Sequence, residues 1–422
     1  MPATQSPPSC KNGPLTGYRV LELGSTVAGP FCGRLLADFG AEVIKIEPLT
    51  GDPVRTMGKQ FHNESLYAAS ILRNKSLISI DLRSEEGQGI VRRLVRQCDV
   101  VIENFRPGGL EKWGLGYESL SAINPGIVMA RISGFGQNGP YSARPGYGVI
   151  GEAVSGLRHV TGDPDRPPSR AAVSLTDCLT GLYAAFGILM AVMARQSTGK
   201  GQYIDAALYE CAFSIMEPHV PAYEKLDVIA QRAGSRLPDS VPNNLYPTRD
   251  GEYIHITAMA DPVFKRLLHA MKQDGAAIDP RFIDARARSA NETALDELIA
   301  SWTSSLTLAE AEAALSVADV PATRIFTMKD IFADPHFRAR DMLVDIPHDT
   351  LGSVKVAGVV PKLSDTPGTL RHAGGAIGRD TREVLAELGG YSEGEIDTLI
   401  RENVVRSSAE RTVKAHARMP GT

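Results

Sequence analysis

Apolar positions along the first half of this chain alternate between the short rhythm of strands and the longer rhythm of helices. Val20-Leu21-Glu22-Leu23 is a short extended run closed by Gly24. From Phe31 to Phe39 apolar residues recur at helical spacing, with Leu35, Leu36 and Phe39 on one side, and Gly40 supplies the stop. Val43-Ile44-Lys45-Ile46 then reads as a second strand ending at Glu47. Strand, helix and strand in this order predict a βαβ unit. The pattern repeats with a strand at Leu77–Leu82, a helix at Glu85–Gln97 that turns Ile90, Leu94 and Val95 inward, and strands at Val100–Ile102 and Ile127–Ile132. Such alternation predicts an α/β class, with a parallel, Rossmann-like sheet covered on both faces. Ligands of these sheets gather at the carboxyl ends of the strands, where the loops after Leu23, Ile102 and Ile132 lie.

Further on, an almost wholly apolar run, Cys178–Ala194, predicts a long helix. Thr198-Gly199-Lys200-Gly201-Gln202 is a turn into a strand at Tyr203–Leu208, and Tyr223–Pro242 is a more polar crossing segment. A smaller α+β unit follows: a strand and turn over Asn244–Gly251, a strand at Tyr253–Thr257, and helices at Pro262–Met271 and Leu306–Val317. Short strands at Leu343–Ile346 and Val354–Val360 and a helix at Thr381–Leu388 close the pattern. The expected organisation is a large α/β domain begun by 15–222, a linker and smaller domain over 223–330, and a return segment over 331–405 that completes the large domain. The ends, 1–14 and 406–422, are expected to be flexible.

A length of 422 residues suits roughly two or three domains. Lysine and arginine number 45 against 49 acidic residues, a near balance that argues against bulk attraction to nucleic acid or an anionic membrane. A local basic cleft for a nucleotide-bearing substrate is compatible with it. The five cysteines, at 10, 32, 98, 178 and 211, contain no CxxC, and the nine histidines no HExxH. No metal site or disulfide framework is expected, and the chain reads as a reduced, cytoplasmic protein. Met1–Pro14 lacks the apolar stretch of a secretory signal. Cys178–Ala194 is near the lower limit for a membrane span, about 17 residues. Its small residues and the strand soon after it point instead to a helix buried in a soluble core.

Asp177 stands directly before that helix. An aspartate there serves as an N-cap. Alternatively, the helix N-terminus favours its ionised form, and an ionised carboxylate beside a bound thioester can attack the carbonyl. The local sequence leaves both readings open. The loop Gly24–Pro30 and the acid Glu47 stand where a dinucleotide fold would bind its cofactor, but GxGxxG fails at Thr26. Gly108-Gly109, Gly114 and Gly116 form no P-loop, so nicotinamide and ATP chemistry are both disfavoured. Asn104-Phe105-Arg106-Pro107-Gly108 offers an amide, an aromatic face and a guanidinium, suited to adenine stacking and phosphate pairing or to an ordinary turn. Lys75, Arg83 and Lys112 read by themselves as surface charges.

Taken together, several segments resemble the CaiB/BaiF family, the class III CoA-transferases. They are Leu15–Leu23, Ala28-Gly29-Pro30, Leu35–Glu47, Asn104–Gly108, Ser133–Pro140, Thr198–Gln202, Tyr246–Gly251, Leu363–Gly368 and Gly378–Thr381. The resemblance implies that Asp177 is the catalytic nucleophile. It would attack an acyl-CoA to give an aspartyl anhydride and then an aspartyl-CoA thioester, from which CoA passes to an acceptor carboxylate. It also implies that CoA, as substrate and with no metal, lies across the strand ends near Val27, Ala28, Arg83, Asn104, Phe105, Arg106 and Lys112. An interlocked homodimer is implied too.

Two departures stand out. Pro48 follows Glu47 where some members carry a nucleotide-binding arginine, and 233–244 lacks the glycine run that some use as a mobile loop. The same family includes 2-methylacyl-CoA racemases, which carry a histidine and an aspartate where this chain has Tyr147 and Gly148. A racemase and a non-catalytic acyl-CoA binding protein are therefore the alternatives to a transferase. Gly156–Gly162 resembles members that use succinyl-CoA with short dicarboxylates, and Arg55 or Arg170 is a candidate partner for a second carboxylate.

Overall fold

The strand rhythm of the sequence becomes one sheet of six parallel strands: β1 Arg19–Glu22, β2 Glu42–Glu47, β3 Ser76–Ile80, β4 Val100–Glu103, β5 Val128–Ser133 and β6 Tyr203–Ala207. This is a computed structural model, and it describes residues 13–408. The strands lie in the order β3-β2-β1-β4-β5-β6, and Val405–Arg406 pairs antiparallel along the outer edge of β3. Neighbouring strands align valine on valine, with Val20 opposite both Val43 and Val100. Because side chains alternate across a strand, Leu21 enters one core with Ile44, Ile78 and Val101. Val20 enters the other, with Val43, Ile102, Ala184 and Ile188. Both faces are thus covered, as a parallel sheet requires.

The strand order reverses beside β1. The chain first steps outward through β2 and β3, then crosses to build β4, β5 and β6 on the other side. The carboxyl ends of β1 and β4 therefore diverge around a crevice, the usual ligand position in such sheets.

Helices of this unit include α1 Ala28–Asp38, α2 Leu66–Ile71, α3 Glu85–Val95, α4 Gly148–Val154 and α5 Leu175–Thr198. Ser84 caps α3 by accepting the N–H of Gly87, and Glu85 and Glu86 sit in its first turn where the helix dipole favours them. The apolar run expected to form a buried helix is the centre of α5. Two expectations change here. Asp177 is not the N-cap: the helix starts earlier, Ser174 is the N-cap, and Asp177 is the third helical residue. Nor is the helix buried all round. Ala184, Ala185, Ile188, Ala191 and Val192 pack inward, whereas Leu182, Phe186, Met190 and Met193 are exposed. A run apolar on every side does not reveal which face the chain itself will cover.

The chain divides into two compact units. The large one comprises the described residues up to Leu157, Ala171–Glu217 and those from Arg338 onward. Its last part adds the antiparallel pair Leu343–His348 and Gly352–Ala357, then helices Thr381–Glu387 and Glu393–Arg401. Val384, Leu385, Ile396 and Leu399 of those helices fill the core on one sheet face. The smaller unit, Arg158–Arg170 with Pro218–Phe337, packs helices Asp261–Ala270, Glu292–Thr303 and Leu308–Val317 on a three-stranded antiparallel sheet. Its core joins Ile254, Ile256, Phe264, Leu295 and Ile299, and the buried Tyr246 hydroxyl donates to Asp296 at 2.7 Å. Of the ends expected to be flexible, 1–12 and 409–422 lie outside the described residues.

Candidate active site

The loop from β1 into α1 is held at Gly24, Ser25 and Thr26, and the first turn of α1 at Pro30, by side chains from elsewhere in the sheet unit. Lys45 donates to the Gly24 carbonyl. Asn104 accepts the Ser25 N–H through Oδ1 at 2.7 Å and donates through Nδ2 to the Ser25 carbonyl at 2.8 Å. Asp52 Oδ1 accepts the N–H of Thr26 at 3.0 Å, holding that residue at a φ of 68°, in the left-handed region. Lys75 donates to the Pro30 carbonyl at 2.7 Å. These bonds fix the loop at the carboxyl end of β1.

Beneath the loop lie two lysines and two carboxylates with no exposure of their side chains. Lys45 Nζ stands 2.8 Å from Asp52 and 3.6 Å from Glu22, and Lys75 Nζ stands 2.7 Å from Glu22. The charges cancel two against two, as burial demands. Burial disfavours the Lys45 ammonium, but Asp52 and Glu22 outweigh it and hold its pKa above the ordinary value. Burial likewise works against the Asp52 carboxylate, and Lys45 reverses the balance and holds its pKa low. At Lys75 burial wins over the nearby Glu22, and the pKa falls. Lys75 is therefore no surface charge. Glu47 is fully buried and bound by Arg55 through two contacts of 2.7 Å, so Arg55, a candidate partner for a second carboxylate, is already paired within the chain.

Asp177 stands half-buried in the first turn of α5, where the helix dipole favours a negative charge. The start of α5 is pressed against α1. A Cβ on Gly181 would meet the Ala28 carbonyl at 2.8 Å, so only glycine permits this approach. Tyr67 of α2 faces the same turn. Its hydroxyl is hydrogen-bonded to Ser174, and burial, followed by the charges of Cys178 and Asp177, pushes its pKa to about 12. Burial and then Asp177 push the Cys178 thiol to about 11, leaving it a poor nucleophile near neutral pH. Val27, Phe31, Tyr67 and Cys178 belong to one apolar cluster that floors the region. A carboxylate is the strongest nucleophile these groups present.

The residues expected to hold CoA fall into three classes. Val27 and Ala28 are buried at the start of α1. Asn104 and Phe105 shape the loop: the amide clamps Ser25, while the Phe105 N–H donates to Glu103 and its ring meets Trp113 edge-on. Arg83 and Arg106 are exposed cations on the loops after β3 and β4, and Lys112 is exposed on the short 3-10 turn Glu111–Trp113 that follows β4. Arg83 leans on Asp81 at 3.3 Å, and Arg106 and Lys112 have no side-chain hydrogen bond or ion pair among the described residues. β1 and β2 separate β3 from β4 in the sheet, so Arg83 rises on the far side of the crevice from Arg106 and Lys112.

A half-buried carboxylate in the first turn of a helix, in a unit that also exposes two cations after β4 unpaired by any described residue, suits a nucleotide thioester as substrate. The model of CoA-transferase family III matches residues 15–381. The chain belongs to CoA-transferase family III. This class III CoA-transferase is 46% identical to the succinyl-CoA–D-citramalate CoA-transferase of Chloroflexus aurantiacus, over 96% of this chain and 100% of that one. It is 37% identical to the succinate–glutarate CoA-transferase of Agrobacterium fabrum, over 89% and 96% of the two chains. Among solved structures, a CaiB/BaiF family protein from Brucella suis superposes with a TM-score of 0.79 at 37% identity, covering 89% of this chain and 100% of that one. An aspartate-to-alanine variant of a Mycobacterium tuberculosis protein gives 0.80 at 26% identity, with the same coverage.

Sequence reasoning missed the buried quartet of this transferase. The signal was present: Glu22 and Lys45 interrupt otherwise apolar strands, and a charge inside a buried parallel strand requires a partner. Tyr67 carried no signal, because α2 is too short to show a period.

Proposed function

We propose that this enzyme transfers CoA from succinyl-CoA to a short dicarboxylic acid through covalent intermediates on Asp177. The carrying observation is the position of Asp177, half-buried in the first turn of α5 beside Tyr67, with no rival nucleophile of low pKa next to it. The relatives named above support the substrate class, since both carry succinyl or succinate and a dicarboxylate in their names. An Asp177 oxygen adds to the succinyl carbonyl, and the C–S bond breaks to release CoA thiolate and leave a mixed anhydride. The thiolate attacks the aspartyl carbonyl, expelling succinate and forming an aspartyl-CoA thioester. The acceptor carboxylate displaces CoA thiolate in turn, giving a second anhydride. Attack of the thiolate on the acceptor's acyl carbon then forms the new acyl-CoA and restores the carboxylate.

In this reading Arg106 and Lys112 pair phosphates of CoA, and the apolar face of α5 carrying Leu182, Phe186, Met190 and Met193 is covered by a second copy of the chain. Such a contiguous exposed patch is unusual on a monomer. Light scattering on the purified chain reports the dimer. For the activity, succinyl-CoA is offered with D-citramalate, malate, glutarate and acetate, and new thioesters are followed by mass spectrometry. Formation of the dicarboxylyl-CoA products with release of succinate supports the reading. Exchange of the α-proton of a 2-methylacyl-CoA in deuterium oxide, without any transfer, would replace it by a racemase.

A further inference from the structure

Gly148 is the first residue of α4, and it is buried. A Cβ built on it would stand 2.1 Å from Oδ2 of Asp177, 2.7 Å from Cγ and 3.1 Å from Oδ1. The Asp177 carboxylate therefore lies directly on the backbone of Gly148, in space that any other residue would fill. The backbone itself does not call for glycine. Gly148 is helical and is not among the residues with positive φ, so alanine could adopt its conformation. Glycine in a helix also sacrifices helix propensity relative to alanine. What calls for glycine here is the neighbouring side chain.

Neither helix is free to give way. A Cβ on Gly151, one turn further along α4, would stand 3.0 Å from Leu208 Cβ and 3.1 Å from the Tyr209 nitrogen, so α4 is backed by main chain. α5 is held against the start of α1 at Gly181. With both backbones fixed, a side chain at 148 would have to turn the carboxylate aside.

We propose that Gly148 is a positioning residue for CoA transfer: the absence of its side chain is the seat that aims the Asp177 carboxylate at the thioester. The proposal rests on the reading of Asp177 as nucleophile. The face of the carboxylate that meets Gly148 is closed, so the thioester carbonyl reaches it from the opposite side. A displacement of about 1 Å at a reacting group costs on the order of a hundredfold in rate.

The test uses the full chain with Gly148→Ala, Asp177→Ala and the double variant. Gly148→Ala lowers kcat about a hundredfold and leaves KM for succinyl-CoA within about twofold, because the nucleotide contacts are untouched. Thermal melting supplies a readout independent of turnover. Gly148→Ala lowers the melting temperature when Asp177 is present, but not in the Asp177→Ala background, where the clash is gone and alanine favours the helix. Equal destabilisation in both backgrounds, or a wild-type kcat in Gly148→Ala, overturns the proposal. Transfer by Asp177→Ala itself overturns the nucleophile reading instead, and the two failures are told apart by which single variant turns over.

Discussion

Asn104 holds Ser25 from both sides, its Oδ1 accepting the Ser25 N–H at 2.7 Å and its Nδ2 donating to the Ser25 carbonyl at 2.8 Å. The pair spans β1 and β4 at the point where the strand order reverses, so one amide bridges the crevice. Asn104→Ala removes both bonds and leaves a partly buried peptide group unsatisfied. The expected cost is about 1–3 kcal/mol, read from the urea midpoint, together with a raised KM for acyl-CoA as the rim loosens. Asn104→Asp keeps the acceptor and loses the donor, and its effect falls between wild type and alanine.

The buried quartet beneath the same loop gives a sharper expectation. Lys45→Met leaves Asp52 and Glu22 in the interior with one cation fewer and releases the Gly24 carbonyl. Removing one member of a buried ion pair costs about 3–5 kcal/mol. Arg83→Ala, which breaks an exposed pair, leaves the unfolding midpoint unchanged within error. Urea titrations of the two variants side by side check both statements.

Arg106 is exposed on the loop after β4. If it pairs a CoA phosphate, Arg106→Ala raises KM for succinyl-CoA by about 1.5–3 kcal/mol, the value of a charge-assisted hydrogen bond. The change in kcat is small, because the contact is remote from the chemistry and acts equally on ground and transition states. Steady-state kinetics over a range of succinyl-CoA concentrations separates the two parameters.

Glu103 gives the stability a pH dependence of unusual sign. Burial pushes its carboxyl from 4.5 up to about 7, against the pull of Arg131 at 3.0 Å. The unfolded chain therefore releases this proton at lower pH than the folded one. Its contribution is fully present below pH 4.5 and is lost as pH rises through about 7. Glu103→Gln removes that component, so the difference between its urea midpoints at pH 5 and pH 8 shifts toward greater relative stability at pH 8. An unchanged pH profile means that Arg131 keeps Glu103 ionised throughout.

The parallel sheet was legible because β1 to β5 carry dense Val, Leu and Ile runs and alternate with helices such as α1 and α3, each ended or capped by a recognisable residue. Asp177 was legible as a candidate through its place at the start of an apolar run. Its position inside the first turn was not, because Leu175 and Thr176 give no stop signal. What escaped is set by contacts across the chain: Lys75 appears as an ordinary lysine until Glu22 is brought to 2.7 Å. Gly148 reads in the sequence only as the position where racemases of the family carry an aspartate, until the Asp177 carboxylate is seen to rest on it. The apolar face of α5 was hidden because the sequence pattern is apolar around the whole helix.

The central claim is that Asp177 carries the acyl group. The enzyme is incubated with succinyl-CoA, quenched with hydroxylamine, digested and sequenced by mass spectrometry. A hydroxamate on Asp177, formed only when succinyl-CoA is present and accompanied by loss of transfer, is the predicted result. Modification of a different carboxylate, or substantial transfer by Asp177→Ala with its fold intact, would contradict the account.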